Sequence, residues 1–205
     1  MEERKFSGED SLRLISQMIS SSRQNLEIGS GNIFLYYGYL SLALSVATFA
    51  AMWYTRSALW NFLWMLMFAP MVILWIKGRR EKAKVTTYTD KMLSGTWNVV
   101  ALLMCVSLAA IMLGGAIRNG IYFSLMQPLA LILVCVGSMI TGIVVRENSI
   151  TACSVIGFII PVLILTDMRA GTSYSAQWNL LTGLSFICSL VIPGHLLNRK
   201  AAKSC

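Results

Sequence analysis

Residues 77–91 read KGRREKAKVTTYTDK, and this stretch decides how the chain is folded. It holds six of the seventeen basic residues and lies between two long apolar runs, Ala58–Ile76 and Gly95–Ile117. A soluble domain carries about a quarter charged residues, spread over its surface. Here 56% of the 205 residues are hydrophobic and only 13% are charged, and the mean hydropathy is +0.66. The charges are clumped, so runs of about twenty uncharged residues remain, long enough to cross a bilayer as helices.

Six such runs are present: Ile33–Trp53, Ala58–Ile76, Gly95–Ile117, Ile121–Val145, Ile150–Thr166 and Ala176–Leu197. The reading is an all-α polytopic membrane protein. Residues 32–198 form a six-helix bundle, 1–31 a cytoplasmic amphipathic helix with a Gly/Ser link, and 199–205 a basic tail. Trp53 and Trp60 flank the first hairpin, Trp75 closes it, and Trp97 and Trp178 open later spans, as an interfacial aromatic belt would place them. The span from Ile121 allows two readings. Either it tilts and bends at Gln127-Pro128, or 121–126 lies in the interface and the membrane helix starts at Pro128. Pro70, Pro161 and Pro193-Gly194 are expected to kink or break their spans.

Orientation follows from the basic residues. Fourteen lie before the first run, in the Lys77 stretch, at Arg146 and in the tail. Three, Arg56, Arg118 and Arg169, lie on the other side. Cytoplasmic loops collect Lys and Arg, so both termini are expected in the cytoplasm of a bacterial inner membrane. Lys77, Arg79, Arg80, Lys82 and Lys84 are the candidate contacts for anionic lipid or a protein partner, each worth about 1 kcal/mol against an anionic leaflet. The net charge of +8 is accounted for in this way, and no nucleic-acid motif accompanies it.

Before the first run, Glu9–Ile28 carries Leu12, Ile15, Ile19 and Leu26 at helical spacing with polar residues on the other faces. It reads as a helix lying on the bilayer or on the rest of the chain, with docking of a cytoplasmic partner as the second reading. No secretory signal is read in it. Asn32 is placed to cap the first span, and Thr89 or Asp90 to cap a helix that begins below the membrane and runs into the third.

Small residues set the helix contacts. Gly38, Ser41, Ser45 and Thr48 share one face of the first span. Gly137 with Thr141, and Ser138 with Gly142, form small-xxx-small pairs in the fourth. Such faces also leave room for a homo-oligomer. Asn98 and Gln127 are the most polar groups at membrane depth and are the candidate intramembrane polar contacts. They read as helix–helix glue or, alternatively, as the wall of a pocket for a small neutral or lipidic molecule.

The sequence argues against catalysis. No Asp, Glu, Lys or Arg falls inside a run, whereas an ion path or relay would need one despite a cost of about 2.5–3.5 kcal/mol. His195 is the single histidine, expected near the negative end of the last helix, and Asp167 is expected at the opposite face. The five cysteines have no CxxC or metal spacing, and no nucleotide, protease or hydrolase motif occurs. No cofactor, metal site or enzymatic activity is expected.

Three stretches, SLRLISQMIS followed by a Gly/Ser link and FLYYGYL, KAKVTTYTDKMLSGTW, and VIPGHLLNRK, resemble a family of small uncharacterised six-span bacterial membrane proteins. Members of that family are often encoded beside winged-helix regulators. The resemblance implies a role in membrane signalling or stress and defines no catalytic residue.

Overall fold

The structure, a computed structural model, describes residues 31–70, 88–118, 125–169 and 176–203. The expected amphipathic helix Glu9–Ile28, the basic residues Lys77, Arg79, Arg80, Lys82 and Lys84, and residues 121–124 and 170–175 lie outside them. Every element among the described residues is a helix. The elements are α1 (Asn32–Thr55), a 3-10 helix (Ala58–Phe68), α2 (Tyr88–Arg118), α3 (Met126–Val145) and α4 (Asn148–Arg169), then α5 (Gln177–Phe186), which passes through a π turn (Ile187–Val191) into α6 (Ile192–Lys203). Five stretches are long and apolar enough to cross a membrane: α1, α2, α3, α4 and the continuous α5–π–α6 helix. The arrangement is that of a multi-pass membrane protein.

The α5–π–α6 helix is the axis of the fold. α1 lies along its whole length on one side, α4 on the other, and α3 packs mainly on α4. α2 packs on the far side of α3, and the 3-10 helix packs on α1. The edge of Trp97 meets Phe34 with ring centroids 5.0 Å apart, joining α2 to the start of α1.

The small faces are contact surfaces, as expected. Gly38, Ser41, Ser45 and Thr48 are all buried. A methyl group at Gly38 would press on the Val191 side chain, and one at Gly183 on Ser45, so α1 and the axis meet almost backbone to backbone. The two pairs on α3 serve different neighbours. Gly137 faces Trp97 and Val100 of α2, and Trp97 Nε1 donates to Thr141 Oγ1 at 3.2 Å. Gly142 faces Thr151 of α4, and Ser154 Oγ donates to Ser138 Oγ at 2.8 Å. One helix thereby carries two close-contact faces.

Several local expectations are corrected. Asn32 does not cap α1; its side chain is tied to the axis, accepting from Asn198 Nδ2 at 2.8 Å. Pro193-Gly194 does not end the last helix, and the residues read as a tail are helical to Lys203. The wider π turn just before Pro193 absorbs the missing N–H and the clash of its ring with the preceding turn. The second run is a 3-10 helix over Ala58–Phe68, not an α-helix. With three residues per turn, Asn61, Trp64 and Met67 fall on one partly buried row facing the bundle. α2 begins ahead of the apolar run, as anticipated, but Thr89 and Asp90 lie within its first turn and do not cap it. α3 starts at Met126, which puts Pro128 in the first turn, where no N–H is missed.

The turns are short. Arg56 and Arg146 have positive φ, 53° and 56°. Each closes a helix by donating its N–H backwards, Arg56 to Met52 O at 2.9 Å and Arg146 to Ile143 O at 3.1 Å. Glu147 N–H adds a bond to Gly142 O at 2.9 Å, completing a Schellman cap with arginine where glycine is usual.

Candidate functional site

The bundle has two polar anchor points, one at each end of its axis. The first is centred on Asn179, which has no exposed surface. Asn179 sits in the first turn of α5, one helical turn before Thr182, so both side chains share a face. Trp64 arrives from the inward row of the 3-10 helix and Gln127 from the first turn of α3. Asn179 Oδ1 accepts from Trp64 Nε1 at 3.0 Å and from Gln127 Nε2 at 3.4 Å. Gln127 Nε2 also donates to Thr182 Oγ1. Asn179 Nδ2 points at Met52 Sδ, 3.3 Å away, and Ser45 Oγ donates to the Asn179 backbone carbonyl. Four elements (α1, the 3-10 helix, α3 and α5) thus converge on one amide. Every group named here is neutral. The cluster supplies directional bonds between helices, worth about 0.6 kcal/mol apiece in membrane bundles and more where a partner would be stranded.

The second anchor lies at the other end. Lys200 Nζ donates to Val145 O at 2.8 Å and to Arg146 O at 3.0 Å, and meets Glu147 Oε2 at 3.3 Å. A cation here satisfies the terminal carbonyls of α3 and lies at the negative end of its dipole. Asn198 accepts from Gly31 N–H at 3.1 Å. Gly31 can only be glycine at this approach, because a Cβ would run into the Gly194 carbonyl. His195 is exposed and its Nε2 lies 2.9 Å from the Tyr39 hydroxyl. It is not at a helix terminus, since α6 runs on to Lys203.

Of the two intramembrane residues singled out from sequence, Gln127 is inside and Asn98 is not. Asn98 lies on the exposed face of α2. Its neighbour Trp97 is level with Thr141, fourteen residues along α3 from Gln127, which at helical rise is about 20 Å. The two amides therefore do not line a common pocket. Asp167 lies near the end of α4, about 28 Å of helix from the turn that Lys200 caps, so it and His195 are at opposite ends. Among the described residues no group of three or more His, Cys, Asp or Glu could hold a metal. The Asn179 hub was missed in sequence, although Trp-Asn recurs at 60–61, 97–98 and 178–179. Of Asn98 and Asn179, only the second is turned inward. No family model, no curated protein and no solved structure matches the chain.

Proposed function

We propose that the chain is a non-enzymatic membrane protein whose working surface is the Lys200 end of the bundle, turned to the cytoplasm of a bacterium. The observation that carries this reading is the asymmetry of charge. Lys91, Arg146 and Arg199 are exposed at that end, and the sequence adds the Lys77 stretch and the four basic residues that precede the first run. Only Arg56, Arg118 and Arg169 belong to the opposite side. Six crossings fit this picture. α1 leaves the bundle at the Asn179 end while α2 begins at the Lys200 end, so the chain between them has to return. The interior polar groups are bonded either between helices, as at Asn179, or to their own backbone, as at Ser41 and Thr48, which favours a surface role over a carrier with a pocket between Asn98 and Gln127.

On this reading Lys77, Arg79, Arg80, Lys82 and Lys84 engage anionic headgroups or an acidic protein surface, and residues 1–31 help hold the partner. A membrane protein of this kind encoded beside a small winged-helix regulator, as in the family it resembles, would relay a membrane state to that regulator. The test has two arms. Reporter fusions near Arg80 and near Arg169 should report opposite sides; the same side would end the topology. Pull-downs from cells with and without residues 1–31 should differ in their partners, and an unchanged set would end the partner role.

A further inference from the structure

α2 is the least buried of the five apolar helices, and it presents an ordered outer face. Gly95, Asn98, Leu102, Cys105, Ala109 and Met112 follow a 3-4-3-4-3 spacing and all are exposed. That spacing is the a/d seam of a coiled coil, a stripe that packs against a like stripe at a shallow left-handed crossing. The inner face of the same helix, with Leu93, Trp97 and Val100, is already used against α1 and α3. Within the outer seam Asn98 lies two turns, about 10 Å, beyond Lys91, one turn inside the apolar run. Among the described residues nothing hydrogen-bonds its side chain. One turn earlier, Gly95 has no atom within 4 Å of where a Cβ would sit, so a second backbone can approach there.

We propose that this face pairs two copies of the chain through α2, with Asn98 against Asn98. The amide selects the partner. A carboxamide is both donor and acceptor, hence complementary to itself, and a lipid chain offers neither. All copies insert with the same orientation, so two α2 helices related by an axis along the membrane normal run parallel. Identical residues then meet at the same depth, Cys105 with Cys105 among them. A single self-complementary amide in such a seam fixes the register, because any slip sets it against an apolar side chain. The pairing rests on α2 being a membrane span and is independent of what the charged end binds.

Cys105 is an exposed free thiol and reports the contact directly. Oxidation of membranes containing the full chain with copper–phenanthroline should give a disulfide-linked dimer that Cys105→Ser abolishes. Asn98→Leu should lower the linked fraction about fivefold or more, the loss of one interhelical amide pair, while Asn98→Gln retains it. Leucine is at home against lipid, so Asn98→Leu should leave the amount of folded chain unchanged. In the Cys105→Ser background, Met112→Cys in the seam should cross-link and Leu103→Cys beside it should not. Absence of a Cys105-dependent dimer, equal linking through Leu103→Cys, or indifference to Asn98→Leu would each overturn the pairing.

Discussion

The indole nitrogen of Trp64 donates to Oδ1 of Asn179 at 3.0 Å, and the same oxygen is approached by Gln127 from the other side. The two donors come from elements far apart in sequence, so this oxygen joins them across the bundle. Replacing Asn179 by Ala strands the Trp64 N–H and removes the longer of two Gln127 contacts, plus the contact to Met52, and should cost about 1–3 kcal/mol. Trp64→Phe leaves Gln127 on the oxygen and should lose less hydrogen-bonding stability, about 1 kcal/mol. Detergent-induced unfolding of the two single variants and the double variant should show clear non-additivity.

The glycines separate by what surrounds them. At Gly142 a Cβ would sit 2.8 Å from the Thr151 backbone nitrogen, which cannot swing away. Gly142→Ala should therefore cost about 1–3 kcal/mol by forcing α3 from α4. Gly114 has nothing within 4 Å of that position, and Gly114→Ala should be neutral or gain up to about 1 kcal/mol from helix propensity. Gly142→Ala should lower the unfolding midpoint, and Gly114→Ala should leave it unchanged or raise it.

Lys200 acts more through carbonyls than through its ion pair. Glu147 and Lys200 are each about a third exposed, so solvent weakens their attraction. Glu147→Gln should cost no more than about 0.5 kcal/mol, while Lys200→Met, which also abandons the Val145 and Arg146 carbonyls, should cost about 1–2 kcal/mol. Arg146→Gly should stabilise by about 1 kcal/mol, because glycine adopts the positive φ of that cap without strain. Thermal unfolding in detergent ranks the three.

The π turn holds one residue more than an α-helix would. Deleting Cys188 together with Pro193→Ala should leave Asn179 and Asn198 facing their present partners, and the double variant should accumulate as folded protein. Deleting Leu184 instead, above the turn, rotates Asn179 away from everything below by about 100° and should abolish folded yield. Fluorescence-detected size exclusion distinguishes these outcomes.

The helix faces were readable before the structure because small residues in a span have one common use. Gly38 to Thr48, Gly137 with Thr141, and Ser138 with Gly142 all meet neighbouring helices. The direction of a lone amide was not readable. In a soluble helix the polar side marks water, but α2 is apolar all round, so nothing in its pattern says that Asn98 points out and Leu93 in. Asn179 was hidden for the same reason, and because its donors come from α3 and from the 3-10 helix. The passage of the axis through Pro193 depends on a hydrogen bond reaching one residue further back, which composition does not encode.

Asn179 and Asn198 stand nineteen residues apart on the axis, about 28 Å at helical rise, and bind the bundle at its two rims. The ribosome delivers that axis after every other helix described above. Until it arrives, Ser45, Gln127 and Trp64 lack their shared acceptor, and the grooves beside Gly38 and Gly157 stand open to lipid. Among the described helices, the one that joins the others is therefore the last to be synthesised. A nascent chain stalled before Gln177 still lacks the amide acceptor and the surface that seals these grooves.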